Sequence, residues 1–406
     1  MICNLRSITV CILTGSALVS LYLAQVTFLQ NREPGIQFMD LRERLQMIHE
    51  IRLKRKQTIP NFDKTNKTLR SVEIWGKAAI GEYLWRHVFN ETIINKIDER
   101  GAVSVGTDII NDVGFKFLSG PGIIQQNSGK DSENVILILN GRSSDKIKFA
   151  KTWLEHLPSL KKLRNVALVM LGNERCDNKW IDPYVNDNRY KVRIVHLVYD
   201  DPRIDQQKFY QWPLGVATYR GFPLVSSMEV DITSQRRYIC NFLGTVYNNS
   251  TRQKLQEIFL KNSLGDICYS NFRPRWLSME TKASSLLYQK VLRQSDITLC
   301  PIGFNSETYR IYEACSLGSI PVIEDVVAPG NCDSSLSSSP FRLLKKLKAP
   351  FIFIKDWSEL PAIIRKESAM SENDKIIRRK LLLHWYHSFK IYLRNHYIKT
   401  IKEKFF

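Results

Sequence analysis

The chain has 406 residues, 44% of them apolar, and a formal net charge of +19, a composition that suits two packed domains rather than a disordered polymer. The charge lies mainly at the ends, with +6 in residues 1–70, +3 in 71–341 and +10 in 342–406. Because the middle segment is not strongly basic and no nucleic-acid motif occurs, the sequence does not predict a nucleic-acid binder. The excess of positive charge would fit a solvated basic face, a membrane surface or an anionic acceptor.

The N-terminal segment carries no charge between Arg6 and Arg32 and is mostly apolar from residue 8 to residue 29. A helix of that length can cross a bilayer, whereas a cleaved signal peptide usually has an apolar core of only about 7–15 residues. We therefore predict a cytoplasmic tail at 1–7, a transmembrane anchor at 8–29 and a polar, basic stem at 30–71. Cleavage of the segment is the less favoured alternative.

Six cysteines of the remaining chain lack zinc-binding spacing and can pair in fifteen ways, among which the sequence does not choose. Four sequons for N-glycosylation accompany them. Both features favour a body that lies in the oxidising lumen of the secretory pathway. The cysteines are Cys176, Cys240, Cys268, Cys300, Cys315 and Cys332, and the sequons begin at Asn66, Asn90, Asn248 and Asn249.

The first domain, predicted at 72–222, is built around apolar runs at 135–139, 166–171 and 192–198. Charged segments such as 146–157 separate these runs and can form covering helices, so we predict an α/β domain with a parallel sheet. Loops at the carboxyl ends of such strands bind ligands. A segment rich in Trp, Pro and Gly, 211–223, is the predicted crossover to a second domain at 223–370, and a terminal helix is predicted at 371–406.

In the second domain the first strand runs to Gly244, and a helix containing Arg252 follows it. Gly244 would let a ligand approach the backbone closely, although an ordinary strand-end glycine explains it equally well. Further on, an apolar run at 296–300, a turn at Gly303, a helix at 308–317 and a second run at 320–323 predict a βαβ unit. The helix N-terminus should then lie at the carboxyl edge of the sheet, where it favours an anion.

This helix places Thr308, Arg310 and Glu313 within two turns of one another. A guanidinium can grip a diphosphate, and a carboxylate can accept hydrogen bonds from ribose hydroxyls, so the helix suits a nucleotide diphosphate if these side chains face a cleft. From spacing alone, a simple ion pair between Arg310 and Glu313 on a solvated face is an equal alternative.

The motif Thr-Tyr-Arg-Ile-Tyr-Glu-Ala at 308–314, followed by Gly-Ser-Ile-Pro-Val-Ile at 318–323, resembles the donor-binding signature of exostosin-like glycosyltransferases. The resemblance implies that Arg310 and Glu313 contact a nucleotide sugar. Further stretches, among them 75–85, 135–142, 171–181, 211–220, 240–247 and 349–357, resemble one branch of that family. Its Golgi members transfer xylose from UDP-xylose to ribitol phosphate on the O-mannosyl glycan of α-dystroglycan.

The resemblance implies the GT-B architecture, in which two Rossmann-like domains face each other across a cleft. The sequence contains no Asp-x-Asp, the motif that holds a divalent cation in the alternative architecture, so we predict no essential metal and no other cofactor. Arg310, Arg252 and the helix N-terminus after Gly303 would then balance the charge of the leaving diphosphate. The expected partners are the two substrates, the Golgi membrane and other enzymes of the same glycan pathway.

The resemblance also implies inversion at the anomeric carbon, which requires a base from a loop of the first domain. The candidates are Glu174, Asp177, Asp200, Asp201 and His196. Each of them can equally serve as a turn or cap residue, so the preference for Glu174 is weak. Two other functions stay open at this stage. One is an exostosin-like transferase that acts on glycosaminoglycan, and the other is a lumenal carbohydrate-binding protein without turnover.

Overall fold

The structure, a computed structural model, describes residues 70–98, 101–277, 279–327, 330, 332 and 340–406. The expected tail and anchor, and the stem up to residue 69, lie outside this part of the chain. In the described part no helix is both long enough and apolar enough to cross a bilayer. The described residues belong to one compact unit.

The first sheet has eight strands in the order β2-β3-β4-β1-β5-β6-β7-β8. From β4 through β1, β5, β6 and β7 to β8 each strand is parallel to the next, whereas β2–β3 and β3–β4 are antiparallel pairs. The bounds are β1 Arg70–Gly76, β2 Ile94–Asp98, β3 Gly101–Ile110, β4 Val113–Ser119, β5 Asn134–Asn140, β6 Asn165–Leu171, β7 Val192–Val198 and β8 Phe209–Trp212.

The centre of this sheet is buried on both faces, which is why β5, β6 and β7 read as nearly continuous apolar runs. Helix α1, Ile80–Glu82, continues directly into a π-helix, Tyr83–Val88, on one face. Helix α2, Ser144–His156, packs its Trp153 and Leu154 on the other. A short helix α3, Asp182–Asn186, precedes β7.

The second sheet has five parallel strands in the order β10-β9-β11-β12-β13. Helices separate successive strands and cover its faces, as the alternating pattern predicts. The strands are β9 Tyr238–Thr245, β10 Cys268–Arg273, β11 Ser295–Cys300, β12 Ile320–Glu324 and β13 Ile352–Ile354; the helices are α4 Thr251–Lys261, α5 Lys282–Arg293, α6 Tyr309–Ser316, α7 Arg342–Lys346 and α8 Leu360–Ala369.

The terminal helix α9, Glu372–Phe405, contacts the elements of both sheets. Near its start the Arg379 guanidinium lies 2.6 Å from an Asp296 carboxylate oxygen of β11. Near its end the Tyr397 ring lies 4.5 Å from the ring of His196 in β7. The helix therefore joins the two halves of the fold. Its Leu382, Phe389 and Leu393 are buried, whereas Leu381 is exposed.

The predicted α/β fold class is confirmed by these two helix-covered sheets. The expectation of a wholly parallel first sheet is wrong, because β2 and β3 form an antiparallel extension at its edge. In β2 the residues Ile94 and Ile97 are exposed, so this edge lacks the long apolar run from which the central strands were predicted. Strand β1 begins at Arg70, two residues before the expected domain start.

Candidate functional site

The loops that follow the strands of the first sheet contact those that follow the strands of the second. Beyond β11, Asn305 donates a hydrogen bond from Nδ2 to the Glu174 carbonyl oxygen beyond β6, at 2.9 Å. A disulfide joins Cys176 to Cys332 in the same region, with their Cα atoms 5.0 Å apart. The carboxyl edges of both sheets thus lie next to each other, and this edge is the place where parallel α/β sheets bind ligands.

Arg310 lies at this edge, in the first turn of α6. Its Nη2 donates a hydrogen bond of 2.5 Å to the Leu243 carbonyl oxygen of β9, and the guanidinium carbon lies 4.9 Å from the centre of the Phe242 ring. A Cβ atom at Gly244 would stand 2.7 Å from Nη2. Gly244 is therefore the residue that leaves space for the arginine against the strand.

Arg252, in the first turn of α4, approaches the same edge from the other side. Its Nη1 donates to the Thr245 carbonyl oxygen at 2.9 Å and its Nε to the Ile302 carbonyl oxygen at 3.1 Å. A Cβ atom at Gly303 would lie 3.0 Å from its Nη2. Only 9% of Arg252 is exposed, so the two carbonyl oxygens hold the guanidinium in a fixed position.

Arg252 and Arg310 form what we call the arginine pair. Burial, and secondarily the charge of Arg310, lower the pKa of Arg252 to about 10, which still leaves it protonated at neutral pH. Among the described residues no carboxylate lies within ion-pair distance of either one. Two fixed cations that repel each other and form no ion pair in this part of the chain suit a multiply charged anion, and the nearest counter-charges are the more distant Glu174 for Arg252 and Glu313 for Arg310.

Thr308 precedes α6 and adds an uncommitted hydroxyl to the arginine pair. It occupies the N-cap position but makes no capping hydrogen bond through its side chain. Its buried Oγ1 has no partner in the part of the chain that the structure describes. Since buried hydroxyls are normally paired, this oxygen is available to a ligand at the helix N-terminus.

Glu313 is more enclosed than the sequence leads one to expect. Its Oε1 accepts from the backbone N–H of Ala217 at 3.1 Å and its Oε2 from the Tyr288 hydroxyl at 2.6 Å. Only 6% of it is exposed, and burial raises the pKa of its carboxyl. The alternative of a solvated Arg310–Glu313 ion pair is therefore wrong, because the carboxylate instead binds the segment that links the two sheets.

On the facing edge, the Glu174 carboxylate forms an ion pair with the Arg142 guanidinium. Although burial alone would lower the pKa of Arg142, the neighbouring Tyr199 and Glu174 raise it above its ordinary value. Tyr309 of α6 is a further neighbour of the Arg142 charge. Glu174 thus lies across the cleft from the helix that carries Arg310.

Family models of the RXYLT1 N-terminal domain and the RXYLT1 C-terminal domain match residues 72–213 and 219–406. Ribitol-5-phosphate xylosyltransferase 1 of Danio rerio is 46% identical over 358 residues, which cover 87% of this chain and 81% of that protein. The Homo sapiens protein of the same name is 45% identical over 357 residues, with coverages of 86% and 80%. The chain belongs to the RXYLT1 family. The family branch predicted from the sequence is thereby confirmed.

Solved structures similar to this RXYLT1 family member are remote. An alpha-glucosyltransferase in complex with UDP-glucose and DNA containing an abasic site has a TM-score of 0.43 and 12% identity, covering 78% of this chain and 95% of its own. An alpha1,3-fucosyltransferase has a TM-score of 0.32 and 11% identity, covering 82% and 84%. We draw no conclusion about the site from either likeness.

The other base candidates in this RXYLT1 chain have different surroundings. Asp200 accepts from the Nε of Arg342 at 2.6 Å, and Asp201 is buried and hydrogen-bonded to neighbouring side chains. Asp177 is exposed. His196 lies in the core under α9, where burial lowers its pKa to about 3, so its candidacy as a base in the cleft is wrong.

Sequence reasoning missed Glu307, which lines a cavity between the two sheets together with Asp200. Its carboxylate accepts from the Leu214 N–H at 2.8 Å and from the Tyr312 hydroxyl. Burial raises its pKa to about 7. The available signal was the polar triplet 305–307 directly after a buried strand, which reads only as the approach to a helix.

The disulfides that the sequence left open are Cys176–Cys332 and Cys240–Cys268, while Cys300 and Cys315 are buried thiols. Cys240 and Cys268 are register partners on the adjacent strands β9 and β10. Cys176 and Cys332 instead connect a loop of the first sheet, after β6, to a loop of the second sheet, after β12. The first bridge is therefore internal to one sheet, and the second links both.

Of the four predicted sequons, Asn66 lies outside the described residues. Asn248 and Asn249 are exposed in the turn before α4, and Asn90 is half-buried. No group of three or more metal-binding side chains occurs within the described ranges. Occupancy of the sequons and independence from metal remain predictions.

Proposed function

We propose that this RXYLT1 family member transfers xylose from UDP-xylose to ribitol phosphate on the O-mannosyl glycan of α-dystroglycan. Relatives that are 44–46% identical over 357–360 residues carry the name ribitol-5-phosphate xylosyltransferase 1, and UDP-xylose is the donor expected for such a transfer. The observation that best connects this name to the molecule is the arginine pair, neither member of which forms an ion pair among the described residues.

In this proposal the arginine pair binds the diphosphate of the donor. Arg252 and Arg310 each use part of their guanidinium on a backbone carbonyl oxygen, and a guanidinium has five N–H donors. The remaining donors can bind phosphate oxygens, with the Thr308 hydroxyl beside them. As UDP leaves, the same charges stabilise the negative charge that develops on its diphosphate.

Glu313 is assigned to the ribose of the donor. Each of its carboxylate oxygens already accepts one hydrogen bond, and a carboxylate has about four acceptor positions. Room for further hydrogen bonds is therefore left, provided that the ribose reaches the buried carboxylate. The bonds from Ala217 and Tyr288 fix the orientation in which it would meet the hydroxyls.

The reaction is a single displacement with inversion. An acceptor hydroxyl oxygen attacks the anomeric carbon of xylose, a new C–O bond forms, and the bond from that carbon to the UDP oxygen breaks. The hydroxyl proton passes to a base, for which we propose the Glu174 carboxylate across the cleft. The ion pair with Arg142 would orient the Glu174 carboxylate.

We also propose that the two sheets with their helices constitute a GT-B architecture, with domains at 72–222 and 223–370. The enzyme would be a type II protein of the Golgi membrane whose body lies in the lumen. Two disulfides support this placement, because such bridges persist in oxidising compartments. We propose no essential metal, since the arginine pair supplies the positive charge.

The deciding experiment measures xylosyl transfer by the purified full chain from UDP-xylose to ribitol 5-phosphate, with UDP-glucuronate and UDP-N-acetylglucosamine as competing donors. We expect transfer only from UDP-xylose. Arg310→Ala and Arg252→Ala should each lower kcat/KM by about 100-fold or more, whereas Lys261→Ala, an exposed change on α4, should not. Normal rates in both arginine variants would contradict the proposed donor site.

A second assay tests the base. Glu174→Gln should lower kcat by about 10²- to 10⁴-fold with little change in the KM for UDP-xylose, and Asp177→Asn is the matched exposed control. Transfer only from UDP-glucuronate or UDP-N-acetylglucosamine would favour a glycosaminoglycan-directed enzyme. UDP binding without transfer or hydrolysis of any donor would instead identify a protein that has lost turnover.

A further inference from the structure

A second cavity adjoins the one between the two sheets. It has a volume of about 240 Å³, somewhat below the roughly 300–1,000 Å³ of pockets that hold drug-sized ligands. Gln211 and Leu343 line both cavities, and the Asp200–Arg342 ion pair contributes one residue to each. We call this second cavity the aromatic cavity, because its wall includes His196, Tyr210, Trp212, Tyr392, His396 and Tyr397.

Three of these side chains are deeply buried and have polar atoms without partners. His196, Trp212 and Tyr397 are exposed by only 2%, 2% and 1%. Neither ring nitrogen of His196, nor Trp212 Nε1, nor the Tyr397 hydroxyl has a hydrogen-bond partner among the described residues. Buried polar groups are nearly always paired, so the wall of this cavity offers unpaired polar atoms that water or the hydroxyl groups of a ligand would satisfy.

The rings are arranged as a continuous wall rather than as isolated contacts. The His196 ring lies 4.5 Å from that of Tyr397 and 5.4 Å from that of Tyr210, and the Trp212 ring lies 5.2 Å from that of Tyr397. Aromatic rings with a polar atom at one end offer both an apolar face and a hydrogen-bonding edge. Such a wall suits the alternating C–H and O–H groups of a sugar or polyol.

One exposed cation at the rim is available to an anion. Lys346 is exposed and forms no ion pair among the described residues, and burial together with Lys346 lowers the pKa of His396. Arg342 already pairs with Asp200. Of the acids, Asp205 accepts three backbone N–H groups of its own turn, and Glu403 lies 3.7 Å from the Lys399 ammonium.

We propose that the aromatic cavity is a second binding site, which takes a phosphorylated polyol. The rings would contact its carbon chain, the unpartnered His196, Trp212 and Tyr397 would bind its hydroxyls, and Lys346 would bind its phosphate. This inference rests on the proposed function, because an enzyme that modifies ribitol phosphate would meet such units in its acceptor. The cavity would then hold a unit of the acceptor other than the one that receives xylose.

The test measures binding to the full chain by calorimetry, with ribitol 5-phosphate, ribitol and inorganic phosphate as separate probes and saturating UDP present. We expect ribitol 5-phosphate to bind at least about tenfold more tightly than either other probe. Lys346→Ala should weaken ribitol 5-phosphate at least fivefold and leave ribitol unchanged. Tyr397→Phe, which removes one hydroxyl, should weaken both, and Lys366→Ala on α8 is the exposed lysine control.

Hydrogen exchange locates the binding. Ribitol 5-phosphate should protect β8 and the residues 392–397 of α9 in the wild type, and in Arg310→Ala as well. Equal binding of inorganic phosphate, or no effect of Lys346→Ala and Tyr397→Phe in variants that melt like the wild type, would overturn the proposed site. If ribitol 5-phosphate binds in the cavity but the protein transfers no xylose, the proposed function is contradicted and this inference is not. If the protein transfers xylose but ribitol 5-phosphate does not bind in the cavity, this inference is contradicted and the proposed function is not.

Discussion

Gly244 and Arg310 occupy complementary positions: a Cβ atom on the glycine would stand 2.7 Å from the arginine Nη2, which binds the carbonyl oxygen of the preceding residue. This contact explains a strand-end glycine that the sequence alone leaves without a definite role. It shows that the position of one cation in the arginine pair depends on the absence of a side chain on the neighbouring strand.

The first prediction follows from that contact. Gly244→Ala should displace the Arg310 guanidinium and raise the KM for UDP-xylose by about 10- to 100-fold, the range expected for loss of one hydrogen bond to a charged group. The fold should survive, because Gly244 does not have a positive φ angle. Steady-state kinetics beside a melting curve test this, with Gly265→Ala as a control, since a Cβ atom there would meet nothing within 4 Å. An unchanged KM would contradict it.

The second prediction concerns Glu313, whose burial makes it a structural residue as well as a proposed ribose ligand. Glu313→Ala should lower the free energy of unfolding by about 1–3 kcal/mol, because the Ala217 N–H and the Tyr288 hydroxyl lose their acceptor. Glu313→Gln should lose less, since an amide oxygen can still accept one of these bonds. Chemical denaturation of both variants and of Tyr288→Phe measures the loss. An alanine variant as stable as the wild type would show that the carboxylate is not held as described.

The third prediction is a pH dependence of stability that arises from Glu307. Its pKa is raised to about 7 in the folded protein, so the folded state binds the proton more tightly than the unfolded state does. The contribution of this carboxyl to the free energy of unfolding is therefore complete below its unfolded pKa of about 4.3. That contribution is lost as the pH rises towards 7. Glu307→Gln should remove this decline.

Unfolding free energies at several pH values between 4.5 and 7.5 test the dependence as a difference between wild type and Glu307→Gln. The difference is needed because His87 and His196, whose pKa values burial lowers to about 3, act in the opposite direction. Their folded states favour the neutral ring, so their contribution rises with pH up to about 6.5. Parallel curves for the two proteins would exclude Glu307 as the titrating group.

The fourth prediction compares the two disulfides. Cys176–Cys332 closes a sequence separation of 156 residues and Cys240–Cys268 one of 28. Because a bridge over a longer loop restricts the unfolded chain more, replacing the first pair by serines should cost about 5 kcal/mol and the second about 3.5 kcal/mol. Denaturation midpoints of the two double variants under oxidising conditions provide the comparison. A larger loss from the shorter loop would mean that native packing, rather than chain entropy, dominates.

The strand–helix–strand unit at 295–324 could be predicted from the sequence because its signals are local. Apolar runs, a helix-length segment without glycine or proline and a breaking glycine occur within about thirty residues, and the structure places β11, α6 and β12 there as a parallel unit. The edge strands β2 and β3 escaped prediction, because their exposed residues do not form a buried run.

By itself the sequence determined the α/β class, the sites of the central strands, the family and the residues from which a donor site can be built. Only the tertiary structure decided how those residues are used. It brings Arg252 to Arg310, encloses Glu313 against Ala217, buries His196 beneath the terminal helix, and joins four of the six cysteines in two disulfides while two stay thiols. Each of these outcomes depends on contacts between residues far apart in the chain, whereas periodicity and turn signals report only on neighbours.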